Sequence, residues 1–199
     1  MRAQLRRIVF VVLLLSATAA FGGTRSVRQV RDVDGTSRDL FRPMGKANVL
    51  VFVASDCPIS NGYAPEIQRI CADGRAKGVQ CTLVYEDVSI DAASVRGHRV
   101  RYQYRDMPAV IDTDGAIARR ARATVTPQAV VVDRAGAVKY RGRIDNQYAA
   151  LGKPRQVVTV HDLRDAIAAV IAGRPIAQPE TEAFGCFISR ARSPLRPLQ

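Results

Sequence analysis

Histidine is scarce in this sequence: His98 and His161 are the only two. No Cys-x-x-Cys pair stands opposite another, so a zinc cluster has no donor set to build on. Lysine is nearly as rare, at Lys46, Lys77, Lys139 and Lys153. The net charge of +12 is therefore carried by arginine. Those arginines are spread along the whole chain, and no basic block is interleaved with aromatics that would stack on bases. The pattern reads as a solvated surface, with no nucleic-acid partner indicated. Tryptophan is absent altogether. Long apolar runs are absent too: the longest, residues 8–15, is too short to span a bilayer, so no stable membrane anchor is expected.

That one run has a meaning of its own. Arg2, Arg6 and Arg7 precede it, and small residues follow, with Ala17 and Ala19 placed for a signal-peptidase cut. Residues 1–20 therefore read as a signal peptide for export, which puts the mature chain in the periplasm or outside the cell. Four cysteines remain: Cys57, Cys71, Cys81 and Cys186. An exported chain with an even number permits disulfides, in three full pairings.

Hydrophobic patterning gives the organisation of the chain. Residues 27–41 read as a small hairpin turning at Asp34-Gly35. Residues 48–54 (NVLVFVA) are a β-branched run suited to a strand buried on both faces. A helix is expected over 58–76, a strand over 79–85 and a helix over 91–104 with Asp91 as N-cap. A short strand at 108–111, a short helix at 117–122, a hairpin over 128–144 and a last helix over 161–172 complete the order. The alternation predicts an α/β fold with a mixed central sheet and helices on both faces. One domain over 24–173 is expected, followed by a Pro- and Arg-rich tail, 174–199, that carries Cys186.

Cys57 falls where the buried strand hands over to a helix. Helix N–H groups and the helix dipole favour a thiolate there, and Asp56 opposes them. Cysteine is often simply buried, but Asp56, Pro58, Ser60 and Asn61 beside it suit a rim. Here the chain resembles thioredoxin: Cys57-Pro58-Ile59-Ser60 holds the place of Cys-x-x-Cys, and Ala64-Pro65 follows at the family's spacing. Thr126-Pro127, ahead of QAVVVD, matches the family's cis-proline that faces the active cysteine. The longer stretch between Cys57 and Pro127 resembles the insert of the redoxins. The resemblance implies a thioredoxin-like fold and a thiol–disulfide oxidoreductase that needs no cofactor. It places Cys57, Ser60, Thr126 and Pro127 at the site, and exported protein thiols or a redox partner protein as what it meets.

The departures shape the expectation. Ser60 replaces the second motif cysteine, and Asp56 stands where the family has tryptophan. Cys57 then needs another thiol to resolve its mixed disulfides. Cys186 is the candidate, within Gly185-Cys186-Phe187-Ile188, an apolar spot on a tail expected to move. Exported bacterial redoxin-domain proteins have a similar layout, with a terminal Gly-Cys and a segment like Tyr140-Arg141-Gly142-Arg143-Ile144-Asp145. Cys186 either resolves Cys57, merely pins the tail or stays free. A peroxiredoxin-like peroxidase acting on peroxide is the alternative, weakened because Leu50 and Ala54 stand where that family has Pro and a hydroxyl. A copper-binding module using Cys57 and Cys186 is a third reading, as soft thiolates suit Cu(I). Cys71 and Cys81, on either side of a short helix-to-strand connection, read as a structural disulfide. His98, beside Arg96 and Arg99, and His161 read as surface or capping residues. Asp112 with Asp114, and Glu180 with Glu182, read as turn and tail residues.

Overall fold

The computed structural model describes residues 29–188 apart from Val88 and Arg105. The expected signal peptide, and the end of the tail beyond 188, lie outside the described residues. A small hairpin opens the chain, β1 (Val30–Arg31) against β2 (Ser37–Arg38), closed by the expected turn. Strand β3 (Ala47–Val53) follows, with all seven residues buried. Its alternation divides the core: Val49, Val51 and Val53 face one apolar layer, Leu50 and Phe52 the other.

The helix expected over 58–76 is two helices, α1 (Pro58–Gly62) and α2 (Ala64–Arg75), meeting at Tyr63. The break has a local cause. Pro65 brings no N–H to continue the first helix, but fits the first turn of a second. Strand β4 (Val79–Tyr85) and helix α3 (Ala92–Arg101) come next, with the Asp91 carboxylate accepting from the Ser94 N–H as N-cap. Then follow β5 (Ala109–Ile111), α4 (Ala116–Ala121), β6 (Val125–Thr126), β7 (Gln128–Asp133) and β8 (Val138–Gly142). A hairpin that the sequence did not announce, β9 (Tyr148–Ala150) with β10 (Lys153–Pro154), precedes α5 (Asp162–Ile171).

Among the described residues the main sheet has five strands, in the order β5-β4-β3-β7-β8. Strands β3, β4 and β5 run parallel, while β7 is antiparallel to β3 and β8 to β7. Apolar residues of α2 and α5 cover one face, among them Ile67, Ile70, Leu163 and Ile167. Ile117, Ala118 and Ala121 of α4 cover the other with Leu40 and Phe41. Mixed sheet and two helical layers are as the alternation predicted.

Cys71 on α2 is bonded to Cys81 on β4. In the chain-entropy account so short a loop contributes about 2–3 kcal/mol. Cys71→Ala is therefore expected to lower stability by about that amount in denaturant titration. Thiol–disulfide exchange elsewhere in the protein should stay near normal.

The C-terminal segment differs from the loose tail that its composition suggests. Glu180 forms a bridge beside Arg141, the Arg141 N–H donates to Pro179 O and the Thr181 N–H to Arg141 O. The Arg141 guanidinium pairs with the Glu180 carboxylate. Tyr140 and Thr181 share a hydroxyl hydrogen bond of 2.7 Å. Farther on, Cys186–Phe187 forms a strand, β11, antiparallel to β6. Two glycines make these approaches possible. A Cβ on Gly142 would lie 2.0 Å from Thr181 Oγ1, and one on Gly185 would lie 2.0 Å from Thr126 O. No side chain fits either place.

Candidate active site at Cys57 and Cys186

Three elements converge on Cys57. Strand β3 delivers the chain to the carboxyl end of the sheet, and Cys57 caps α1 there with its backbone extended. The Ser60 N–H donates to Cys57 Sγ at 3.5 Å. From the next element, Thr126 O lies 3.3 Å from Cys57 Sγ, and the Thr126–Pro127 peptide is cis. From the third, β11, Cys186 Sγ stands 2.7 Å from Cys57 Sγ. Both cysteines are free thiols.

Burial is where the site departs from expectation. Cys57 is only 1 % exposed; its neighbours Asp56 and Pro58 do lie on a rim. The cover is β11 itself, so Cys186 is the exposed member of the pair. Beside it Phe187 is 84 % exposed. Ser60 is buried, and its hydroxyl has no hydrogen-bond partner among the described residues. What it gives Cys57 is its backbone N–H.

The two sulfurs are electrostatically unlike. Burial pushes the Cys57 thiol up, but hydrogen bonds from Cys186, the Ser60 N–H and the Thr126 side chain outweigh it and hold the thiol below its ordinary range. Cys186 is pushed up to about 11, first by desolvation, then by donating to Cys57, with Asp56 adding to it. The opposition expected of Asp56 thus falls on Cys186. Of the pair, Cys57 is the more acidic sulfur and Cys186 the less acidic.

A second group supports the turn at Cys57 and was misread in the sequence. His98 is buried, not a surface residue. Its Nε2 lies 2.8 Å from Asn61 Oδ1 and its Nδ1 2.8 Å from Tyr85 Oη. Asn61 Nδ2 in turn donates to Ser55 O at 3.0 Å. An amide oxygen only accepts, so Nε2 carries the proton and Nδ1 accepts from Tyr85. Burial, then Arg101, lowers the His98 pKa and keeps the ring neutral. The buried spacing Val95, His98, Arg99 on α3 was the available signal. The segment 140–145 also has structural partners: Arg143 pairs with Asp162 at 2.7 Å, and the Tyr63 hydroxyl donates to Asp145 at 2.7 Å. His161 precedes α5 without a side-chain capping bond. Leu50 lies wholly in the core.

A five-stranded mixed sheet with helices on both faces, a cysteine at the β3–α1 junction and a cis-proline ahead of β7 define a thioredoxin-like fold. Solved structures agree. A hypothetical protein of Sinorhizobium meliloti 1021 superposes with a TM-score of 0.70 at 21% identity, covering 83% of this chain and 91% of that one. An uncharacterized conserved protein of Geobacillus kaustophilus gives 0.69 at 23%, covering 83% and 89%. A secreted Mycobacterium tuberculosis disulfide oxidoreductase, described as homologous to Escherichia coli DsbE, gives 0.50 at 18%, covering 73% and 94%. No protein-family model and no curated protein matches the sequence.

Proposed function

We propose that this chain is an exported thiol–disulfide oxidoreductase of the redoxin type, with Cys57 and Cys186 as its redox pair. The observation that carries the reading is the meeting of the two free sulfurs at 2.7 Å beside the cis-proline loop. A thiol of lowered pKa within bonding reach of a second free thiol is what a reversible disulfide requires. Ser60, Thr126 and Pro127 line the pair and supply no electrons. The neighbour from Mycobacterium tuberculosis, a secreted disulfide oxidoreductase by its description, is in keeping with this activity. Export to the periplasm or beyond rests on residues 1–20 and suits the Cys71–Cys81 bond. No helix among the described residues is long and apolar enough to cross a membrane. The partners are exported protein thiols or a redox partner protein.

The test is equilibration of the full chain in glutathione buffers from reducing to oxidising, followed by thiol blocking and disulfide mapping. Cys57 and Cys186 are expected to pass together from free thiols to one bond as the buffer becomes oxidising. Cys71–Cys81 should remain bonded over the same range. If Cys57 and Cys186 never join, the reading fails.

A further inference from the structure

The two sulfurs differ in which of them a partner can touch. Cys57 is 1 % exposed, with Thr126 O and the Ser60 N–H on its inner sides and Cys186 on its outer side. Cys186 is exposed, next to the 84 %-exposed Phe187, on a strand whose only ladder among the described residues is with β6. A thiolate attacks a disulfide in line with the S–S bond, from the side opposite the leaving sulfur. Attack on Cys186 comes from solvent. Attack on Cys57 would have to come through the core.

We propose that partners enter this redox pair through Cys186, with Cys57 as the buried sulfur that leaves and later resolves. The inference rests on the redox-pair reading and reverses the roles that the motif position implies. In the oxidised protein, a thiolate of a substrate dithiol attacks Cys186 Sγ. The Cys57–Cys186 bond breaks, a substrate–Cys186 bond forms, and Cys57 leaves as thiolate. The second substrate thiol then loses its proton and attacks the substrate's own bonded sulfur. Cys186 is expelled and takes up a proton. The substrate has lost two electrons and gained a disulfide, and the protein pair has gained both electrons. The substrate class is a protein dithiol, whose second thiol is needed to release Cys186 as the substrate's disulfide forms.

The acidities favour the same order. The sulfur with the lower pKa is the better leaving group, and Cys57 is that sulfur. The first step leaves its charge on Cys57, where the Ser60 N–H stands to receive it at 3.5 Å.

Glutathione, a monothiol that cannot complete the second step, reads out the site of attack. The oxidised full chain is mixed with excess glutathione, quenched in acid at short times, digested and mapped by mass spectrometry. Extrapolated to zero time, glutathione on Cys186 should exceed that on Cys57 by about ten-fold or more, as expected from the access and leaving-group differences. In Cys57→Ser, exposed to glutathione disulfide, the Cys186 adduct should form and persist, because no internal thiolate remains to displace it. Adducts chiefly on Cys57 in the wild type, or a Cys57→Ser protein that takes no adduct at Cys186, overturn the proposal while leaving the redox pair itself standing. An oxidised chain lacking the Cys57–Cys186 bond overturns both.

Discussion

Gly185→Ala is expected to uncover Cys57 without unfolding the protein. The added Cβ would sit 2.0 Å from Thr126 O, 2.6 Å from Thr126 C and 3.1 Å from Pro127 N. All three are backbone atoms, so the neighbour cannot swing aside. The segment must move instead, giving up the β11–β6 ladder and the 3.0 Å bond from the Ile188 N–H to Thr124 O. The contacts of residues 179–181 with β8 are remote from the clash and persist. Alkylation of Cys57 in the reduced protein should accelerate by about ten-fold or more. Closure of the Cys57–Cys186 bond should slow by a similar factor, as Cys186 falls from direct contact to the millimolar effective concentration of a short tether. Iodoacetamide labelling resolved by peptide mapping measures the first, and stopped-flow oxidation the second. An unchanged Cys57 labelling rate would show that β11 does not cover it.

Glu86→Gln should stabilise the protein, and more so as pH rises. Glu86 follows β4 and is 6 % exposed, with Oε1 lacking a hydrogen-bond partner among the described residues. Burial, then the charge of Asp112 and a hydrogen bond to it, pushes its carboxyl up to about 9. Burial raises Asp112 too, but the Ile117 and Ala118 N–H groups at the start of α4 donate to it at 3.0 and 2.7 Å, so it is the better-stabilised carboxylate of the two. A folded pKa above the unfolded value of 4.5 means that this group's contribution is intact below 4.5 and is lost as pH rises toward 9. Gln keeps a donor for Asp112 and has no proton to hold. Urea titration should therefore find the variant close to wild type at pH 4 and more stable at pH 8, by on the order of 2–4 kcal/mol. A variant no more stable at pH 8 than at pH 4, relative to wild type, would mean that Glu86 is solvated.

The features legible in the sequence were those with local causes. The apolar run of β3, the thiol at its end, the Thr126-Pro127 landmark and the Cys71–Cys81 bond each follow from neighbouring residues. The cover on Cys57 does not, because it arrives from 129 residues away on a two-residue strand too short to show periodicity. The same applies to β6 and to the β9–β10 hairpin. His98 was hidden by its company: Arg96 and Arg99 suggest a wet face, yet Arg99 is itself buried and pairs with Asp34 at 2.7 Å. Gly142 and Gly185 stood in plain view in the sequence. Their meaning appeared only when a second backbone was found lying against each.

The clamp of residues 179–181 on β8 has a consequence for how oxidation and folding communicate. Without it, the free leash to Cys186 would start at the end of α5, at Ile171. With it, only the leash from Thr181 to Cys186 remains to be ordered, no more than roughly 17 Å when fully drawn out. Loop-closure entropy grows with the logarithm of length, so a clamp that shortens the leash about three-fold removes about 1 kcal/mol from the cost of ring closure. Arg141, Tyr140 and Thr181 supply that ordering whatever the state of the sulfurs. Within the folded domain, making or breaking the bond therefore loosens the leash alone.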